Sequence, residues 1–256
     1  MSELVHLDWA AGVATITLDS PANRNALSAA LMRDLATHLQ TAIADEDVRV
    51  IVLTATGTVF CAGADLKNDR AAPSPGTSYP EILVAIMTAP KPVIAALNGH
   101  VRAGGIGLVA ACDMVVAPTD ATFAFAEVRI GVAPAVIGVV CLRKMPSRAV
   151  SRYFLTGETF TADVAVAAGL VTLTARREDV TTRVAALTAE IRRTAPEAVA
   201  RTKALIAELP SMDLAEGFAH AARVSAELFE SDEAQAGITA FRERRRPPWD
   251  TSAVED

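Results

Sequence analysis

A chain of 256 residues, 51% hydrophobic but only 5% aromatic, can bury a core of Ala, Val, Leu and Ile without disulfide or metal support. Its formal net charge of −6 argues against a general nucleic-acid partner, and its longest apolar run, 131–142, is broken by Pro134 well short of the roughly 20 residues a membrane helix needs. Cys61, Cys112 and Cys141 form no C-x-x-C pair, and Glu3 and Asp8 stand where a signal peptide carries basic charge, so a soluble, cytoplasmic protein with reduced thiols is expected.

In chain order, 13–18 (VATITL) alternates small apolar and hydroxyl residues and predicts a strand, and 19–25 (DSPANRN) is turn material. Ser28 is placed to cap a helix whose apolar stripe is Leu31, Leu35, Leu39 and Ile43. Residues 48–54 (VRVIVLT) predict a second, buried strand, and 60–67 (FCAGADLK) a glycine loop directly after a strand region. The stretch 68–80 holds three prolines and reads as a loop, with Tyr79 and Glu81 assigned to solvent. A short helix follows over 81–88, and then a strand over 93–97 that Asn98-Gly99 breaks. Gly104-Gly105 precedes a small apolar helix at 107–111, and strands are expected at 114–117 and 122–126, the last running into Glu127. From Ser147 onward the pattern is helical, in three segments. Val184, Leu187 and Ile191 share a face of the first, and Phe218, Ala222 and Phe229 share one of the last, before a basic run at 242–246. The alternation is that of an α/β fold with crossovers between parallel strands, and no internal repeat is evident.

Two glycine loops after two strands can each aim a backbone N–H at one point. Such paired donors form an oxyanion hole, where losing one typically costs about 10²–10³ in rate. Glu127, an acid at a strand end in apolar surroundings, suits general acid–base work; the bland alternative is that both loops are tight turns. Residues 105–110 also fit G-x-G-x-x-A, with Glu127 in the role of a ribose-binding acid. That dinucleotide reading is disfavoured, because two apolar strands occupy the interval a crossover helix needs and FCAGADLK is left without a role. His6, His38, His100 and His220 are scattered without ligand spacing, and there is no G-x-S-x-G. The run 242–246 reads either as a solvated terminus or as a phosphate contact.

FCAGADL, PKPVIAALNGHVRAGGIGLVAACDMVVA, FAFAEVRIGVAP, YFLTGETFTADVAVAAGLV and GITAFRERRRPPW, in that order and nearly end to end, resemble the enoyl-CoA hydratase/isomerase (crotonase) superfamily. The resemblance implies an α/β spiral of ββα units over 1–195, a helical oligomerisation region over 196–256, and a homotrimer or homohexamer. It implies an acyl-CoA thioester as substrate, with no cofactor beyond that coenzyme A. The thioester oxygen is expected at the N–H groups of Ala64 and Gly104, with Glu127 as the acid–base residue. Ala62, Ala64, Asp65, Leu66 and Lys67 are expected along the CoA moiety, Arg24 near its adenine-phosphate end, and Phe241 and Arg244 toward the nucleotide from a neighbouring helical region. Two-acid hydratases of the superfamily carry a second glutamate where this chain has Gly107. Single-acid members include enoyl-CoA isomerases, whereas EVRIGVAPAVI with GGIGLVAACD looks more like hydratases of branched acyl-CoA such as 3-methylglutaconyl-CoA. Hydration is therefore the expected activity, isomerisation the alternative, and a non-catalytic acyl-CoA-binding member the third possibility. Gly107→Glu is expected to improve crotonyl-CoA hydration if the space around 107 is free.

Overall fold

Val5–Ala10 (β1) and Val13–Leu18 (β2) form an antiparallel hairpin about Ala11 and Gly12, both at positive φ. The computed structural model describes residues 3–66 and 76–250. β1 is an unpredicted strand. It is an edge strand with its last three residues exposed, so its sequence lacks the clean alternation that marks β2. Ala29–Ala44 (α1) starts as expected, with the Leu31 N–H donating to Ser28 Oγ at 3.2 Å, and Leu31, Leu35 and Leu39 are buried.

From here one unit repeats: a strand in a large sheet, a strand in a small sheet, and a helix. Val50–Ala55 (β3), Val59–Cys61 (β4) and Tyr79–Thr88 (α2) form one unit, and Val93–Ala96 (β5), His100–Arg102 (β6) and Gly104–Ala111 (α3) the next. Met114–Pro118 (β7), Thr122–Ala124 (β8), a 3₁₀ turn at Ala126–Ile130 and Ala135–Cys141 (α4) complete the third. The repeat is legible only in three dimensions, because β4 and β6 have three residues each, too few for a periodicity to register, while β8 is present as expected but stops at Ala124.

The chain continues through Ser147–Thr156 (α5), Phe160–Thr161 (β9), Ala162–Ala167 (α6), Leu173–Ala175 (β10) and Val180–Arg192 (α7). Pro196–Glu208 (α8), Leu214–Glu230 (α9) and Asp232–Arg242 (α10) close it. Three helical segments were thus too few, and β9 and β10 lie among them. The large sheet has the order β1-β2-β3-β5-β7-β10, parallel from β2 onward, and the small one β4-β6-β8-β9. β3 is apolar along nearly its whole length because both faces are covered. Ile51 and Leu53 join the main core, while Val50 and Val52 meet Val184, Leu187 and Ile191 of α7. α3 is buried from Gly105 to Ala111, which explains its lack of a polar face. It begins at Gly104, three residues earlier than the sequence suggests.

Candidate active site

The first amide loop is 62–66, leaving β4. Gly63 has φ +87, a conformation that L side chains rarely adopt, and a Cβ there would lie 2.8 Å from Ala103 Cβ and 3.0 Å from Gly104 N. The two glycine loops are therefore in direct contact. The turn 23–27 fastens the first loop from the other side: Ala62 N–H donates to Arg24 O (3.1 Å) and Leu27 N–H to Gly63 O (2.8 Å). That turn is in its own right held by the fully buried Asn25. Its Oδ1 accepts from Ser20 N–H at 2.7 Å, and its Nδ2 donates to Thr56 O and Val59 O at 3.0 and 2.8 Å.

The second loop is the entry to α3. Ala103 N–H donates to Ala124 O, and Ala103 adopts φ 48, ψ −125, a strained setting for a residue with a Cβ. Gly105 packs so tightly on β4 that a Cβ would lie 2.6 Å from Cys61 O. The outcome is that Ala64 N–H and Gly104 N–H lie on adjoining loops, and neither has a backbone acceptor among the described residues. Gly104 N–H is also at a helix N-terminus, where the aligned peptide dipoles favour negative charge.

Glu127 lies in the 3₁₀ turn after β8, not on the strand itself. Its carbonyl accepts from Val132 N–H at 3.0 Å, which fastens the turn. Beneath it Phe125 is fully buried, 4.4 Å from the Phe154 ring and 6.0 Å from that of Phe160, so much of a small aromatic complement is spent under this one acid. Glu127 Oε2 is buried with no hydrogen-bond partner among the described residues. Burial pushes the Glu127 carboxyl above its ordinary pKa, and its own backbone N–H only partly opposes this. A cavity of about 600 Å³ joins Glu127 to Ala62, Ala64 and Gly104, with Leu27, Met32, Ile130, Val136 and Ile137 among its apolar walls.

The family model described as enoyl-CoA hydratase/isomerase matches residues 8–252. The chain belongs to the enoyl-CoA hydratase/isomerase family. It is 33% identical to the 2,3-dehydroadipyl-CoA hydratase of Escherichia coli over 96% of this chain and 98% of that protein. It is 30% identical to human enoyl-CoA hydratase domain-containing protein 3, mitochondrial, over 95% of this chain and 82% of that one. Among solved structures, the Mycobacterium smegmatis enoyl-CoA hydratase superposes with a TM-score of 0.91 at 35% identity, covering 98% of this chain and all of that one. The architecture is the crotonase fold.

Within this enoyl-CoA hydratase/isomerase family member, Ala62, Ala64, Leu66, Gly104 and Glu127 come together on one cavity. Arg24 and Asp65 lie on the flanking turn and loop without lining it, and Lys67 falls outside the described residues, as does the expected loop 68–80 up to residue 75. Phe241, 84% exposed, and Arg244 are at the end of α10 and do not line the cavity of their own chain. His100 Nδ1 pairs with Thr122 Oγ1 at 2.9 Å, bracing β6 against β8. All three cysteines are buried, with their thiols pushed up to about 12 by desolvation. No helix among the described residues is long and apolar enough to cross a membrane.

Tyr79 is the residue that sequence reasoning misassigned. It lines the cavity rather than facing solvent, and its hydroxyl donates to Gly104 O. The usable signal was Ser78-x-x-Glu81, a capping pattern that fixes the helix start at Tyr79. Glu81 is engaged in that cap, its carboxylate accepting from the Gly76 and Ser78 amides, and it is exposed as expected. The space around Gly107 is not free: a Cβ there would lie 2.2 Å from Tyr79 Oη and 2.6 Å from Ile137 Cγ2. A glutamate introduced at 107 would have to displace the Tyr79 hydroxyl and Ile137, so the space that a gain in crotonyl-CoA hydration requires is already occupied.

Proposed function

We propose that this protein is an enoyl-CoA hydratase, adding water across the 2,3 double bond of an enoyl-CoA thioester. The observation that carries the reading is the meeting of two unmatched amides and one unmatched, buried carboxylate oxygen on a single apolar cavity. Ala64 N–H and Gly104 N–H hold the thioester oxygen and stabilise the enolate as electrons move onto it. Glu127 transfers the proton, and its raised pKa suits a group that must both take and return one near neutrality. Ala62, Asp65, Leu66 and Lys67 border the CoA moiety. Arg24, on the turn whose carbonyl receives Ala62 N–H, contacts the phosphate end. No cofactor beyond the substrate's coenzyme A is invoked. The described walls are apolar and carry no cation, which favours a hydrocarbon acyl chain, straight or branched, over one ending in a carboxylate such as 3-methylglutaconyl.

We further infer a homotrimer or homohexamer. Leu214, Phe218 and Phe229 of α9 are 82%, 74% and 64% exposed in the single chain, a costly display of apolar surface unless covered. Phe241 and Arg244 then serve the nucleotide of a neighbouring subunit's substrate. A second reading, Δ3,Δ2-enoyl-CoA isomerase, draws on the single carboxylate, which alone suffices to move a proton between Cα and Cγ. A non-catalytic acyl-CoA carrier would have no use for a buried acid beside the thioester site. Incubation with crotonyl-CoA, 3-methylglutaconyl-CoA and a 3-enoyl-CoA separates the three: hydration of a 2-enoyl substrate is expected, and isomerisation alone, or silence on all, overturns the proposal.

A further inference from the structure

A single carboxylate leaves a hydratase short of a partner for its water. Among the described residues lining the cavity, Tyr79 and Glu127 are the only ones whose side chains carry nitrogen or oxygen. The Tyr79 oxygen also stands where a side chain at 107 would begin, 2.2 Å from the Cβ position of that residue. Gly107 is thus the condition for the phenol to reach the backbone of α3 at all. Its one proton is committed to Gly104 O. A phenol oxygen that donates its proton can still accept, and that capacity remains for a ligand.

Resting on the hydratase reading, we propose that the Tyr79 hydroxyl is the second polar group of the water site, positioning the nucleophilic water opposite Glu127. The water donates one hydrogen to Tyr79 Oη and the other to Glu127 Oε2, which turns its lone pair toward Cβ. As the O–Cβ bond forms, the π electrons move to the Cα enolate held by the two amides, and Glu127 takes the water's proton. Glu127 then delivers that proton to Cα. One H and one OH are added, and both side chains end as they began. Desolvation holds the Tyr79 hydroxyl well above its ordinary pKa, with Cys61, Cys141 and Glu127 adding to the shift, so it stays protonated and keeps its bond to Gly104 O.

The test separates water placement from support of the Gly104 loop. Tyr79→Phe keeps the ring and removes the oxygen. Hydration of crotonyl-CoA is followed beside exchange of the α-protons of butyryl-CoA with D₂O, a reaction that needs the amides and Glu127 but no added water. The expected result is a fall in hydration kcat of about 10²-fold with exchange within about threefold of wild type. Equal losses in both reactions, or in exchange alone, would show that Tyr79 only supports the Gly104 loop, and unchanged hydration would remove the role; either outcome overturns the proposal. Wild-type protein that exchanges α-protons but never hydrates would instead defeat the functional reading itself, and this role with it.

Discussion

Glu127 is costly to ionise where it sits, because one oxygen is buried without a partner and the walls around it are apolar. Its folded-state pKa is raised, so the folded chain holds this proton more tightly than the unfolded chain does. The associated stability is complete below the ordinary glutamate pKa and is lost as pH rises through the raised value. Glu127→Gln removes that dependence. Turnover is expected to fall about 10²–10⁴-fold while thioester binding persists. Thermal unfolding should find the variant at least as stable as wild type near pH 8, with the advantage shrinking toward about pH 4. Gly104→Pro is the complementary change. Gly104 is the first residue of α3, where a helix accepts proline, but a Cβ there lies 3.0 Å from Leu27 Cδ1 and the ring restricts Ala103, so some stability is lost with the N–H. Turnover measured beside unfolding should show a loss of about 10²–10³ that exceeds any loss of folded protein.

At the scale of elements, the site is a junction between loops that belong to different units. The turn before α1 is the fastener: Arg24 and Asn25 both have positive φ, 61 and 54, and Asn25 reaches three backbone groups on two segments. Asn25→Ala takes this partner from Ser20 N–H and Val59 O, while Thr56 O keeps Asn98 Nδ2 at 3.1 Å, and a loss of about 1–3 kcal/mol is expected in denaturant titration. Because Arg24 O and Leu27 N–H hold the 62–64 loop, KM for the thioester should rise in the same variant. A rise in KM without any stability loss would mean that the turn contacts the substrate rather than the loop.

Over the whole molecule, a buried cation ties α8 to the core. Lys203 is buried, 2.7 Å from Asp113 Oδ2, and donates to Ile86 O and Lys91 O at 2.9 and 3.1 Å, joining the helical end of the chain to α2 and the start of β5. Asp113 Oδ2 also accepts from Val93 N–H. Lys203→Met keeps the stem's packing but leaves Asp113 and both carbonyls without their partner. The expected loss is on the order of 3 kcal/mol, toward the lower end for a broken buried pair because Asp113 keeps one bond and some solvent. Asp113→Asn in the same chain should recover part of it, and denaturant midpoints of the two variants check both statements.

The sequence by itself determined the α/β order, the Ser28 cap, the buried strands β2, β3, β5 and β7, the two glycine loops and Glu127. These are local patterns: a periodicity, a capping residue, or a run of small residues beside an isolated acid, each readable within a dozen positions. The short strands β4, β6, β9 and β10 were left to tertiary structure, because two or three residues become a strand only through a neighbour's hydrogen bonds, whereas β8 was expected and ends two residues early, at Ala124. Tyr79 belongs to the same class. Nothing within a window of sequence relates residue 79 to residue 107, and only the packing of α2 on α3 puts a phenol oxygen into the space that glycine leaves. The contact of Gly63 with Gly104, 41 positions apart, is likewise a product of β4 and β6 lying side by side. Which groups could do the chemistry was legible from residue types; which of them meet was decided by the crossovers that bring strand ends together.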